Sequence, residues 1–271
     1  MISRTVLIAC LVAVVVWYVL CGLGRWFPWA SGLVERWSPR TRWLHAWVLS
    51  APATFTYVAI FTGSTLVQRT APPKLIELLT TLQSTNLRNL ARAPLEVLLD
   101  SMWWVADRGA GLVLYILLYV TVVAWGERRY GTPRMLVIGL SGHVFGSLLT
   151  AAVETRALRT GRAPAELAIT TDVGVSYVMV AGCAAAVLLM RGRWLVAGVV
   201  SLVVGIVAPA VVMHTIWNLG HLFATSCGLL AAWALLRVAP ARRPPDLLRC
   251  LPPRTPPVPR STRVGAEAEA G

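Results

Sequence analysis

The chain has 271 residues, 56% of them hydrophobic and only 14% charged, with a mean hydropathy of +0.65, against roughly 25% charged residues in an ordinary soluble domain. This composition excludes a soluble globular enzyme and indicates a membrane protein. The net charge of +13 and pI near 10.7 do not require a nucleic acid as partner, because arginines gathered on the cytoplasmic side and a basic tail beside anionic lipid account for them.

Apolar runs close to the ~20 residues that cross a bilayer occur at 5–24, 43–67, 109–125, 135–153, 171–190, 194–213 and 215–236. Seven spans are therefore predicted. They are helical, because unpaired backbone finds no partner in lipid. The first is read as an uncleaved anchor rather than a removed signal peptide, so that 1–42 is a transmembrane helix with its cytoplasmic linker. Residues 43–238 form the membrane core. Within it the long 68–108 loop places Leu75, Ile76, Leu78, Leu79, Leu82, Leu87 and Leu90 at helical spacing before Trp103 and Trp104, which predicts one or two short amphipathic helices anchored in the interface. The last segment, 239–271, is basic and rich in proline. It is read as a disordered cytoplasmic tail.

Positively charged loops stay inside. With the N-terminus outside, the segments 24–43, 126–134 and 191–193 and the tail hold sixteen of the 25 basic residues. The outer 68–108 loop offsets its own with Glu77, Glu96, Asp100 and Asp107. The expectation is a multi-pass protein of the cell membrane with its C-terminus in the cytoplasm and lipids as its surroundings. Basic residues are 24 Arg to one Lys, Lys74, the composition of a GC-rich bacterial genome. The five cysteines have neither disulfide nor metal spacing, and no metal or cofactor is expected.

Two serines compete for attention. Ser141 lies in GLSGHVFG, but His143, two positions on, points to another side of the helix. Gly142 and Gly146, with Gly139 a turn earlier, have the small-xxx-small spacing that lets membrane helices approach, and the stretch is read as packing. His143 is read as a buried polar residue. Ser176, in TTDVGVSY, follows Thr170, Thr171 and Asp172, which are natural caps for the fifth span. It lies roughly 8 Å below the outer surface at ~1.5 Å per residue. His221, six residues into the seventh span from Thr215, is roughly 9 Å deep by the same count. The two match in depth and in membrane half. Gly174 allows a close approach beside Ser176, and Gly220, Ala224 and Gly228 give the helix of His221 a close-packing face.

These residues carry a resemblance. GERRYGTPR (Gly126 to Arg134), GVS (Gly174 to Ser176) and GHLFATSCG (Gly220 to Gly228) occur in the order and spacing of the rhomboid family. From about Asn89 to Trp233 the chain is similar to divergent rhomboid-like proteins of actinobacteria. The resemblance implies an all-α, polytopic six-helix core, to which 5–24 adds a leading seventh span. Active rhomboids are intramembrane serine proteases, and the resemblance implies Ser176 as nucleophile and His221 as base, with transmembrane proteins as substrates. Departures accompany it. Tyr177 stands where the family pattern G-x-S-G has its last glycine, and Ala224 stands where a glycine is expected. The His and Asn that help hold the oxyanion in active members map near Gly111 and Tyr115, so neither is present. Backbone N–H groups near Ser176, or the side chain of Asn218 or Tyr115, are the available substitutes. Glu127 and Arg128 are read as fixing a cytoplasmic turn. Two functions stay open: an intramembrane endopeptidase, or a pseudoprotease that binds transmembrane clients without cutting them. A small-molecule transporter fits less well, for want of an inverted repeat and paired intramembrane charges.

Overall fold

A computed structural model describes residues 2–105 and 111–243, which are helical throughout, with short connections and no strand among the described residues. The expected disorder of the tail beyond 243, Cys250 and the first residues of the 109–125 span lie outside the described residues. The helices are α1 (Ile2–Leu23), α2 (Pro28–Leu49), α3 (Pro52–Thr70), α4 (Pro73–Leu82), α5 (Leu87–Arg92), α6 (Pro94–Ser101), α7 (Leu112–Leu118), α8 (Ala124–Tyr130), α9 (Thr132–Arg159), α10 (Val175–Val187), α11 (Arg193–Leu202), α12 (Ala208–Met213) and α13 (Ile216–Val238). Proline at the first or second position opens α2, α3, α4, α6 and α9, where its missing N–H would have no partner in any case. One wide π turn joins α7 to α8 at Tyr119–Val123, and another joins α11 to α12 at Val203–Val207.

Among the described residues, Thr132–Arg159, Arg193–Met213 and Ile216–Val238 are each long and apolar enough to cross a membrane. The pair α2 and α3 meets the same test together but is bent by 89°, so the apolar run 43–67 is divided between two helices. Ser50 and Ala51 precede Pro52, whose ring disfavours helical backbone in the residue before it. Val12–Leu23 and α10 are shorter apolar helices. The linker expected at 24–43 is largely helical, as α2.

Three helices make the centre. α9, α10 and α13 pack along a seam of residues with almost no side chain. A β-carbon at Gly142 would stand 2.2 Å from Ala181 Cβ, one at Gly146 3.0 Å from Ala224, and one at Gly228 2.6 Å from both Ala181 Cα and Cβ. Gly139 faces Val178 in the same way. Backbones this close gain dispersion contacts that lipid cannot match, which is how helices associate where no hydrophobic effect separates them from their solvent. The GLSG stretch is thus part of a packing surface.

The segment 68–105 folds into three short helices, α4, α5 and α6, and is stitched onto the residues that lead into α10. Thr85 N–H donates to Asp172 O at 2.9 Å, Asp172 N–H to Ser84 Oγ at 2.7 Å, and Gly174 N–H to Ser101 O at 2.9 Å. Its far end is held by Trp103, whose ring lies 5.1 Å from that of Tyr57, which in turn packs with Phe61 and Tyr119 at 5.3–5.5 Å. At the opposite face Glu127 caps α3, accepting from the N–H groups of Ala53 and Thr54 at 3.1 and 2.8 Å and from the Thr132 hydroxyl at 2.7 Å. Arg128 stacks on Trp47, with its guanidinium carbon 3.1 Å from the ring centre.

Candidate active site

Ser176 is the second residue of α10, and His221 lies one and a half turns into α13. The helix of His221 is started by Thr215, whose side chain accepts from Asn218 N–H, a regular N-cap. That of Ser176 starts differently from the reading of the sequence. Thr170, Thr171 and Asp172 do not cap it: the chain stays non-helical through 170–174, Gly174 occupies the cap position, and no side chain closes the first turn. Asp172 is occupied elsewhere, by Tyr177 and Thr85. The seam fixes the separation of the two helices, and Ser176 Oγ lies 2.8 Å from His221 Nε2. With the imidazole proton on Nδ1, the serine hydroxyl donates to a free Nε2 lone pair, the geometry in which a histidine can withdraw the proton of an attacking serine.

Both side chains line a cavity of about 610 Å³, whose wall includes Glu77, Thr80, Trp104, Tyr115, Asp172 and Trp217. Trp217 is held at its rim by donating to Thr171 O at 2.9 Å. The cavity is floored by the first turn of α10, whose N–H groups have no partner within the helix and whose dipole places partial positive charge there. Tyr115 lines the cavity, with its ring folded back over Gly111. Asn218 is half-buried and does not line it.

Tyr177 does not fill the cavity. Its ring is buried between α10 and α13, 1% exposed, and lies edge-on to His221 with 5.4 Å between centroids at 76°. Space for it exists only because residue 220 is glycine: a β-carbon there would stand 1.7 Å from the Tyr177 hydroxyl. That hydroxyl donates to Asp172 Oδ2 at 2.8 Å, and the same oxygen accepts from Thr85 at 3.2 Å. A line of contacts therefore runs from the 68–105 segment through Asp172 and Tyr177 to the histidine ring. Sequence reasoning missed Asp172, Thr85 and Trp217. Asp172 read as a local cap, and its true partner is 87 residues away.

Gly174 serves a second histidine. His143 is fully buried against it, and a β-carbon at 174 would stand 2.1 Å from the ring. His143 Nε2 is 2.8 Å from Leu98 O and 3.3 Å from Ser101 Oγ, so this ring fastens α6 to α9. Ser141, on another side of α9, is only partly buried.

A family model described as rhomboid-like protein matches residues 46–241. The chain belongs to the rhomboid-like family. No curated protein and no solved structure matches it. The match spans α3 to α13 and so contains the seam, the 68–105 segment, Ser176 and His221, while α1 and most of α2 precede it. With several apolar helices, this rhomboid-like chain is a membrane protein surrounded by lipid.

The rhomboid-like site makes a testable demand on Tyr177. Removing its hydroxyl in Tyr177→Phe leaves the ring edge against His221 but takes a buried donor from Asp172, at a cost of about 1–3 kcal/mol. The expected result is a lower melting temperature in detergent. An unchanged one would show that the Asp172 contact carries no stability.

Proposed function

We propose that this rhomboid-like chain is an intramembrane serine endopeptidase, with Ser176 as nucleophile and His221 as general base. The observation that carries the reading is the 2.8 Å Oγ–Nε2 contact at the wall of a polar cavity inside an apolar helix bundle. Ser176 Oγ attacks the carbonyl carbon of a peptide bond in a substrate segment that has unwound into the cavity. His221 Nε2 takes the serine proton and returns it to the leaving amine. Water then enters by the same route and attacks the acyl carbon as His221 takes its proton; the acyl–Oγ bond breaks, and His221 returns the proton to Ser176. No metal or cofactor takes part in this chemistry.

The oxyanion would face the first-turn N–H groups of α10, with Tyr115 also lining the cavity. Active rhomboids use a His and an Asn that map near Gly111 and Tyr115, where this chain has neither. Losing such donors costs about 10²–10³ in rate each, so turnover is expected to be slow. That same difference favours a second reading, a pseudoprotease that grips transmembrane clients in the cavity without cutting them. In either case the reading includes seven spans, a six-helix core following α1, the cavity towards the outer face and the C-terminal tail in the cytoplasm. This orientation is supported by the placement of the arginines.

The test is labelling by a serine-reactive fluorophosphonate in liposomes, with an active rhomboid as control. The expected adduct maps to Ser176, is lost in Ser176→Ala and persists in Ser141→Ala. An unlabelled but folded chain beside a labelled control would overturn the protease reading in favour of client binding.

A further inference from the structure

We propose that the basic face of the bundle holds one anionic phospholipid, with its phosphate among Arg128, Arg242 and Arg243 and an acyl chain in the apolar cleft between α3 and α9. Two cavities meet there. The first, of about 270 Å³, is lined by Ser50, Glu127, Arg128, Thr132, Arg242 and Arg243. The second, of about 580 Å³, is almost wholly apolar, with Ile60, Leu99, Trp103, Leu136 and Leu140 among its walls. Thr132 lines both, so a polar pocket at the helix ends continues into a greasy slot along the bundle. That is the outline of a headgroup joined to a chain.

Charge selects the headgroup. The pocket has three guanidinium groups and one carboxylate, and the carboxylate is spent: both oxygens of Glu127 already accept, from Ala53, Thr54 and Thr132. Among the described residues that line the pocket, two positive charges are left without a counter-charge. Arg128 is 6% exposed and cannot swing away. Nε donates to Ser50 Oγ at 2.6 Å, one Nη to Trp47 O at 3.0 Å, and the plane lies on the Trp47 ring, while the other Nη is buried with no partner among the described residues. A buried charged donor left unpaired is costly, and a phosphate oxygen is the acceptor that arginine geometry suits best.

The other two arginines are brought in by the chain beyond α13. Arg134 Nη1 donates to Ala239 O at 2.9 Å, and Arg242 N–H to Arg129 O at 2.7 Å. The Arg242 guanidinium lies across Gly131, where any β-carbon would stand 2.7 Å from it and where φ is +84°. The start of the tail is thereby pinned beneath the α8–α9 turn with its charges at the pocket. A free phosphate would satisfy the arginines but not the slot, and a zwitterionic lipid would fill the slot while bringing a cation to a cationic pocket. The anionic phospholipid satisfies both.

The experiment is native mass spectrometry of the full chain in detergent with equimolar phosphatidylglycerol and phosphatidylcholine of the same chain length. One phosphatidylglycerol per chain is expected, preferred by about thirtyfold, since each of the two uncompensated arginines favours anionic lipid by about fivefold. R242E/R243E, both exposed positions, should bring the preference to parity. R25E/R36E, equally exposed and equal in charge change, should keep it. Leu136→Trp, which narrows the slot one turn from Thr132, should reduce retention of the lipid while glycerol 3-phosphate in millimolar excess displaces little of it. Equal retention of both lipids by wild type, or loss of the preference in both double variants alike, would overturn the proposal. Full displacement by glycerol 3-phosphate would show a phosphate site with no use for the slot and would overturn it as well.

Discussion

Replacing His221 with alanine is expected to slow acylation of Ser176 by a fluorophosphonate by about 10⁴-fold, the upper range for removal of a positioned base, with the fold intact. A serine hydroxyl is a weak nucleophile at neutral pH, and its reactivity depends on a partner that takes the proton as the bond forms. At 2.8 Å, Nε2 is within reach of it. The substitution touches little else. His221 is half-buried at the cavity wall, whereas the seam residues of the same helix, Gly220, Ala224 and Gly228, face Tyr177, Ala181 and Gly146. Tyr177 would lose one edge contact, worth about 1 kcal/mol. His221→Gln sharpens the measurement, since it can still hydrogen-bond the serine without accepting its proton at neutral pH. It should label as slowly as the alanine variant at an unchanged melting temperature. A glutamine variant that labels at the wild-type rate would remove His221 from the chemistry.

Gly228→Ala is expected to loosen the packing of α10 against α13. Its β-carbon would meet backbone, 2.6 Å from Ala181 Cα and 2.9 Å from Ala181 O. Backbone cannot rotate aside, so α10 and α13 must move apart. Overpacking of this kind costs about 1–3 kcal/mol, and a shift of about 1 Å between reacting groups can slow a reaction 10²-fold. Melting temperature and the rate of Ser176 labelling should therefore fall together. Gly63→Ala in α3 is the control, because nothing lies within 4 Å of the added methyl. It should be neutral or slightly stabilising, since alanine is the better helix former by about 1 kcal/mol. Equal melting temperatures for the two variants would refute the close seam.

Much of this arrangement could be read from local pattern. The leucines of 68–108 announce short helices by their spacing, Thr215 announces the start of α13, and counting along two apolar runs pairs Ser176 with His221, which lie 2.8 Å apart. Gly142 and Gly146 declare a packing surface because their four-residue interval is itself a geometric statement. The break between α2 and α3 was also legible in principle, in Ser50–Ala51–Pro52, but hydropathy averaged over a long window hides it. What escaped is what depends on distant partners. Asp172 offers a capping carboxylate to its own helix, yet it binds Thr85 and Tyr177 instead. Tyr177 stands where the family pattern has a glycine, and its neighbours in sequence do not say where its ring goes. That it turns inward follows from the missing side chain at Gly220 on another helix.

The seam has an implication for how such proteins change over time. Gly142, Gly146, Ala181, Ala224 and Gly228 are constrained by contact with one another and by nothing chemical. A descendant that had given up cutting and merely gripped its clients would still have to keep them to stay folded. Ser176 and His221 add to the fold one half-buried hydrogen bond between them and an edge contact with Tyr177, each worth about 1 kcal/mol, so selection for folding alone protects them weakly. In lineages descending from such an ancestor, the glycines would record the architecture and the serine–histidine pair would record whether the blade is still in use.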